Sequence, residues 1–176
     1  MDKTTKKLLG IFSRYILVLL LALGNLFVFY KVFTRPTIFF SKLILSLFGE
    51  TTGIGVYIIF RETLLEIAPA CVAGAAYYLL FVLSLSVPMN LQKRIKLLVY
   101  CFGVFFVVNV LRIASMGLLL QTPFFDSVHM LLWNFFSTIF LISIWFSAVK
   151  IFKIKEIPIY TDFLSIVKSK KAKTHN

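Results

Sequence analysis

The chain reads as an all-α polytopic membrane protein: about four transmembrane helices, an interfacial or re-entrant helix, and a short hairpin on the outer face. Three observations predict this class. Hydrophobic residues make up 60% of the 176 and charged ones only 15%, with 20 phenylalanines. The mean hydropathy is +0.93, outside the soluble globular range. Apolar runs of about 20 residues, the length that crosses a bilayer, recur along the chain. The basic residues also sort by side. Lys3, Lys6, Lys7 and Arg14 open the first run, Lys93, Arg94 and Lys96 separate the second from the third, and Lys150, Lys153, Lys155, Lys168, Lys170, Lys171 and Lys173 follow the fourth. Only Lys31, Arg35, Lys42, Arg61 and Arg112 fall on the other side. The positive-inside rule then puts both termini in the cytoplasm of a multi-pass protein of the cell membrane. The net charge of +12 is thereby explained as topology, and nucleic acid is not needed as a partner.

The elements follow in order within a single membrane domain, residues 1–176. The basic start and apolar run at the N-terminus lack a small-residue cleavage site and read as a retained first span, 11–33. "TRP" at 34–36 closes it, since proline and the residue before it disfavour helix. The outer linker, 34–67, begins with "TIFFSKLILSLF", too short to cross and carrying Lys42, hence interfacial or re-entrant. "GETTGIGVYIIFRE" then has a glycine-rich turn before a β-prone run, which predicts a short strand or hairpin. Spans follow at 68–88, 95–120 and 129–152. The tail, 153–176, aligns Ile159, Phe163, Ile166 and Val167 on one helical face above a basic run and reads as lying on the anionic cytoplasmic leaflet.

Against this apolar background a few residues stand out. Cys71 falls in the first turn of the second span, just after Pro69, which suits the first helical position. Free N–H groups and the helix dipole there favour negative charge. The competing reading is a packed small residue among Ala70, Ala73, Gly74, Ala75 and Ala76. Arg112 lies roughly 25 Å from the cytoplasmic end of the third span at 1.5 Å per residue. An arginine inside a span costs several kcal/mol and normally has a partner or a task, although snorkelling to the outer headgroups is the alternative. Asn109 and Ser115 sit three residues to either side of it, on the same helical face. His129 opens the fourth span, with Trp133 one turn on. Thiol, guanidinium and imidazole thus converge on one leaflet. Cys101, near the cytoplasmic side, is too far from Cys71 for a disulfide and reads as core. Cysteine plus histidine falls short of a zinc set, and no metal or cofactor is expected. Glu62, Glu66 and Asp126 all lie on the outer side, where any of them could orient His129.

"CVAG" with Cys71, "NVLRI" with Asn109 and Arg112, and "HMLLW" with His129, in this order and on successive spans, resemble the exosortase/archaeosortase family over roughly residues 45–150. Two departures are visible: Gly74 stands three residues after Cys71 where the commoner pattern has two, and the chain is shorter, with about four spans rather than about eight. The resemblance implies a membrane-embedded cysteine protease-transpeptidase. Its substrates would be proteins carrying a C-terminal motif, one transmembrane helix and a basic tail, cut at the outer face, with the new C-terminus passed to a lipid or another acceptor. It implies Cys71 as nucleophile, His129 as proton-transfer group, Arg112 as oxyanion stabiliser or substrate orienter, and Asn109 in support. Two other expectations stand beside it. One is a non-enzymatic assembly or transporter subunit in which Arg112 pairs with an acid on a partner; the other is a lipid-modifying transferase.

Overall fold

The computed structural model describes residues 3–24, 26–132 and 137–154, with side chains from Leu9 onward. The order of elements is α1 (Lys3–Leu23), α2 (Phe27–Leu45), β1 (Thr51–Ile54), β2 (Tyr57–Phe60), β3 (Thr63–Glu66), α3 (Pro69–Val72), α4 (Gly74–Leu85), α5 (Leu91–Leu119), α6 (Phe125–Leu131) and α7 (Ser137–Ile151). The protein is therefore mostly helical, with one small sheet.

α5 is the central post. Its 29 residues are long and apolar enough to cross a membrane, the one such helix among the described residues. α1 and α2 reach that standard only as a pair, bent by 66° at their break. Pro69–Leu85 and Ser137–Ile151 are shorter apolar helices. Around α5, Phe29, Tyr77, Leu80, Leu97, Cys101, Phe105, Ile144 and Ala148 form one buried core. Phe33 stacks on Tyr77 with ring centroids 3.7 Å apart, an aromatic contact that ties α2 to α4. Much of the remaining helix surface is apolar and exposed, including Phe12, Leu20, Val32, Val99, Val107 and Phe146. Patches of this extent mark a surface built to be covered.

Two expectations about the first half are corrected. The first span does not run unbroken over 11–33 and end at "TRP". The helix breaks between Leu23 and Phe27, where Leu26 takes a left-handed φ of 58°, and α2 then continues through Pro36 to Leu45. Thr37, Ser41 and Leu45, one turn apart, are buried, so packing along this face holds the helix through the proline, overriding a local cost of about 3 kcal/mol. "TIFFSKLILSLF" is accordingly no separate helix; most of it is the C-terminal half of α2.

The predicted hairpin is a three-stranded antiparallel meander, β1-β2-β3, so the fold is not purely helical. Gly55, with φ of 62°, supplies the left-handed position of the first turn. Arg61 and Glu62 take φ of 48° and 65° in the second, the signs of a type I′ hairpin turn, which twists with the strands. Arg61 helps hold this turn by donating from Nη2 to the Phe48 carbonyl at 2.8 Å. Alternation sorts the sheet: Ile58 and Phe60 are buried with Leu45, Ile67, Val72 and Ile113, while Tyr57, Leu64 and Glu66 face outward. This second core seats the sheet beside α2 and α5 and delivers the end of β3 straight into α3, which carries Cys71. Residues 155–176, including the proposed leaflet-bound tail, lie outside the described residues.

Candidate active site

The chain does not enter its second apolar helix in one move. Ala68 is extended, Pro69 occupies the first helical position, and α3 lasts a single turn before Ala73 adopts φ 57°, ψ 45°. α4 then starts at Gly74. Cys71 is therefore not in the first turn of a long helix but in a one-turn segment of its own, so the expected dipole effect of the whole span does not act through continuous helix. Its amide is already engaged, donating to the Ala68 carbonyl at 2.8 Å.

Packing fixes the residue that follows the break. A Cβ added at Gly74 would approach the Tyr30 ring to 2.8 Å, a separation real side chains do not reach. Only glycine lets α4 meet α2 so closely. Ala73, the residue that moves the glycine one place further from Cys71, is the one that takes the left-handed conformation.

A helix break leaves carbonyls without intrahelical partners, and here α5 supplies them. Asn109 Nδ2 donates to the Cys71 carbonyl at 3.0 Å and to the Val72 carbonyl at 3.4 Å. Arg112 Nη2 donates to the same Cys71 carbonyl at 3.2 Å. Arg112 Nη1 donates to the Ser137 hydroxyl at 2.8 Å, and the Ser137 hydroxyl in turn donates to the Leu132 carbonyl at 2.9 Å. One guanidinium thus ties α3, α5 and α7 together. Among the described residues two of its N–H groups are used, of the five a guanidinium has.

Cys71, Arg112 and His129 line one cavity of about 170 Å³, closed by Leu65, Glu66, Ile67, Ile113, Met116, Phe125 and Leu132. Its walls are mainly apolar, so charges inside are poorly screened. Cys71 is half-buried, as a reactive thiol needs to be. His129 projects from α6 with its ring against Phe125, centroids 5.5 Å apart. Of the three acids considered as its orienters, Glu66 lines the same cavity.

The residues read from sequence thus separate into two layers. Cys71, Arg112 and His129 meet at the cavity, and Asn109 stands behind Cys71, buried, holding its backbone. Ser115, expected on the same polar face, is exposed and bonds back to the Leu111 carbonyl at 2.8 Å. Trp133 lies outside the described residues. Cys101 is fully buried in the helical core and neither cysteine is in a disulfide. Ser137 was not singled out by sequence; its signal is weak, one of two adjacent hydroxyls in the run "NFFSTIF". Among the described residues no three His, Cys, Asp or Glu side chains gather as metal ligands. Compared with known proteins, the chain matches no family model, no curated protein and no solved structure.

Proposed function

We propose that this chain is a membrane-embedded cysteine protease-transpeptidase. In this reading four spans cross the cell membrane, both termini are cytoplasmic, and the site faces outward. Its substrates are secreted proteins that end in a short motif, one transmembrane helix and a basic tail. One observation carries the proposal: a thiol, a guanidinium and an imidazole from three separate segments line one apolar cavity beside a sheet. Each alone has a structural explanation. Their meeting supplies nucleophile, cation and proton carrier, the minimum set for acyl transfer.

His129 takes the Cys71 proton, and the thiolate attacks the scissile carbonyl, forming the C–S bond. Negative charge gathers on the carbonyl oxygen, where the remaining N–H groups of Arg112 stabilise it; one preorganised donor of this kind is worth about 10²–10³ in rate. The C–N bond breaks as His129 protonates the leaving amine, leaving a thioester. Water, a lipid or an amine then attacks the thioester, His129 accepts the nucleophile's proton, and Cys71 departs as thiolate.

The alternative, a non-enzymatic subunit in which Arg112 meets an acid on a partner, predicts instead that Cys71→Ser is silent. The test is co-expression with a signal-bearing secreted protein from the same genome. Cys71→Ala and Arg112→Ala are expected to abolish its processing while the enzyme still accumulates in the membrane. Normal processing by Cys71→Ala overturns the proposal.

A further inference from the structure

We infer that the outer edge of β3 is the substrate-binding strand, on which the extended segment before the cleavage motif adds as a fourth strand of the sheet. This rests on the protease reading above and specifies how such an enzyme would hold its peptide.

The register settles which backbone groups are available. Ile67 N–H donates to the Val56 carbonyl at 3.0 Å, and β3 pairs with β2 as Ile58↔Leu65 and Phe60↔Thr63. In an antiparallel ladder bonded pairs alternate, so Thr63, Leu65 and Ile67 turn their N–H and C=O groups toward β2. Leu64 and Glu66 turn theirs the other way. No described residue takes the outward N–H and C=O groups of these two. On the buried face of the sheet the Lys42 side chain of α2 lies under Gly53 of β1, opposite Ile58. At the far end of β3, Gln121 Nε2 closes the turn by donating to the Arg61 carbonyl at 3.1 Å and the Thr63 hydroxyl at 2.8 Å. What stays open is the stretch that leads into the cavity.

Exposed edges invite pairing and are normally blunted or covered. Alternating donors and acceptors at strand spacing are met by an extended polypeptide, which is how strand addition captures peptides elsewhere. The edge is continuous with the chemistry: Glu66 ends β3 and lines the cavity that holds Cys71, five residues further on. β3 leads inward to α3 and α4. A substrate whose own span follows its motif travels the same way, so the added strand runs parallel to β3 and its scissile bond enters the cavity. Main-chain bonds would supply affinity, and the cavity walls, Leu65, Ile67 and Met116 among them, would read the motif's side chains.

The experiment uses the full chain in lipid nanodiscs. The probe is a synthetic peptide covering the motif and the segment before it, taken from a signal-bearing secreted protein of the same genome. Single backbone N-methyl groups are moved along that segment and kcat/KM for cleavage is measured. Strand addition predicts a period of two: alternate N-methyl groups lower kcat/KM about three- to tenfold, the value of one backbone hydrogen bond, and those between are silent. Leu64→Pro, which removes one outward N–H at an edge position that tolerates proline, lowers kcat/KM by a similar factor. A scan without alternation, with the unmodified peptide still cleaved, overturns strand addition and leaves the protease reading standing. No cleavage of the peptide and no processing in cells overturns both.

Discussion

Arg112 and Asn109 hold the backbone of Cys71 by one carbonyl, and this is where residue chemistry matters most. Replacing Arg112 with lysine keeps the charge and loses the fork, because a single ammonium cannot copy two divergent N–H directions. Arg112→Lys is expected to cut processing about 10²-fold while leaving protein levels unchanged, as judged by immunoblotting. Asn109→Leu leaves the buried Val72 carbonyl without its side-chain donor. The expected loss is about 1–3 kcal/mol of stability, read as a lower thermal unfolding midpoint in detergent. Arg112 and Asn109 were legible in the sequence because polar side chains in an apolar run need a reason to be there. Their reason was not legible: the helical periodicity of α5 gives a shared face, but not which carbonyl that face meets. Ser137 escaped notice because a serine in a span is common enough to carry no signal.

At the scale of elements, the break between α3 and α4 decides where the thiol sits. Ala73 adopts a backbone conformation that costs a residue with Cβ about 1–2 kcal/mol, and Gly74 fits where nothing larger can. The two positions therefore respond in opposite directions. Ala73→Gly relieves the strain, offset by the greater entropy glycine loses on folding, and should raise the unfolding midpoint slightly, by under about 1 kcal/mol. Gly74→Ala drives a methyl group into the Tyr30 ring and should lower stability by about 1–3 kcal/mol. Equal behaviour of the two in a thermal shift assay would contradict the account of the break. Sequence reading found the sheet from its glycine-rich turn but saw only a hairpin, since the Arg61-Glu62 turn lacks the usual Asn-Gly signal. It also misjudged Pro36. The cost of a proline inside a helix is local, whereas α2 is held by the buried face at Thr37, Ser41 and Leu45.

For the whole molecule, the apolar runs of the sequence became a mostly helical fold with one small sheet, in which α5 is the one described helix long and apolar enough to cross a membrane; the break near Gly24 carried no signal inside its apolar run. The proposed orientation makes a direct prediction. In a Cys71→Ala, Cys101→Ala background, Phe124→Cys should react with a membrane-impermeant maleimide applied outside intact cells, and Asn90→Cys only after permeabilisation. Both positions are exposed, so access is set by the membrane rather than by packing. The reverse pattern would turn the molecule over and remove the cavity from the face where exported proteins arrive. The central claim, however, is chemical: Cys71 is the nucleophile. Mass spectrometry of the enzyme quenched in acid during turnover of a signal-bearing substrate tests it most directly. The account predicts a substrate-derived acyl group on Cys71, released by hydroxylamine and absent from Cys101. Continued cleavage with Cys71 unmodified throughout would contradict it.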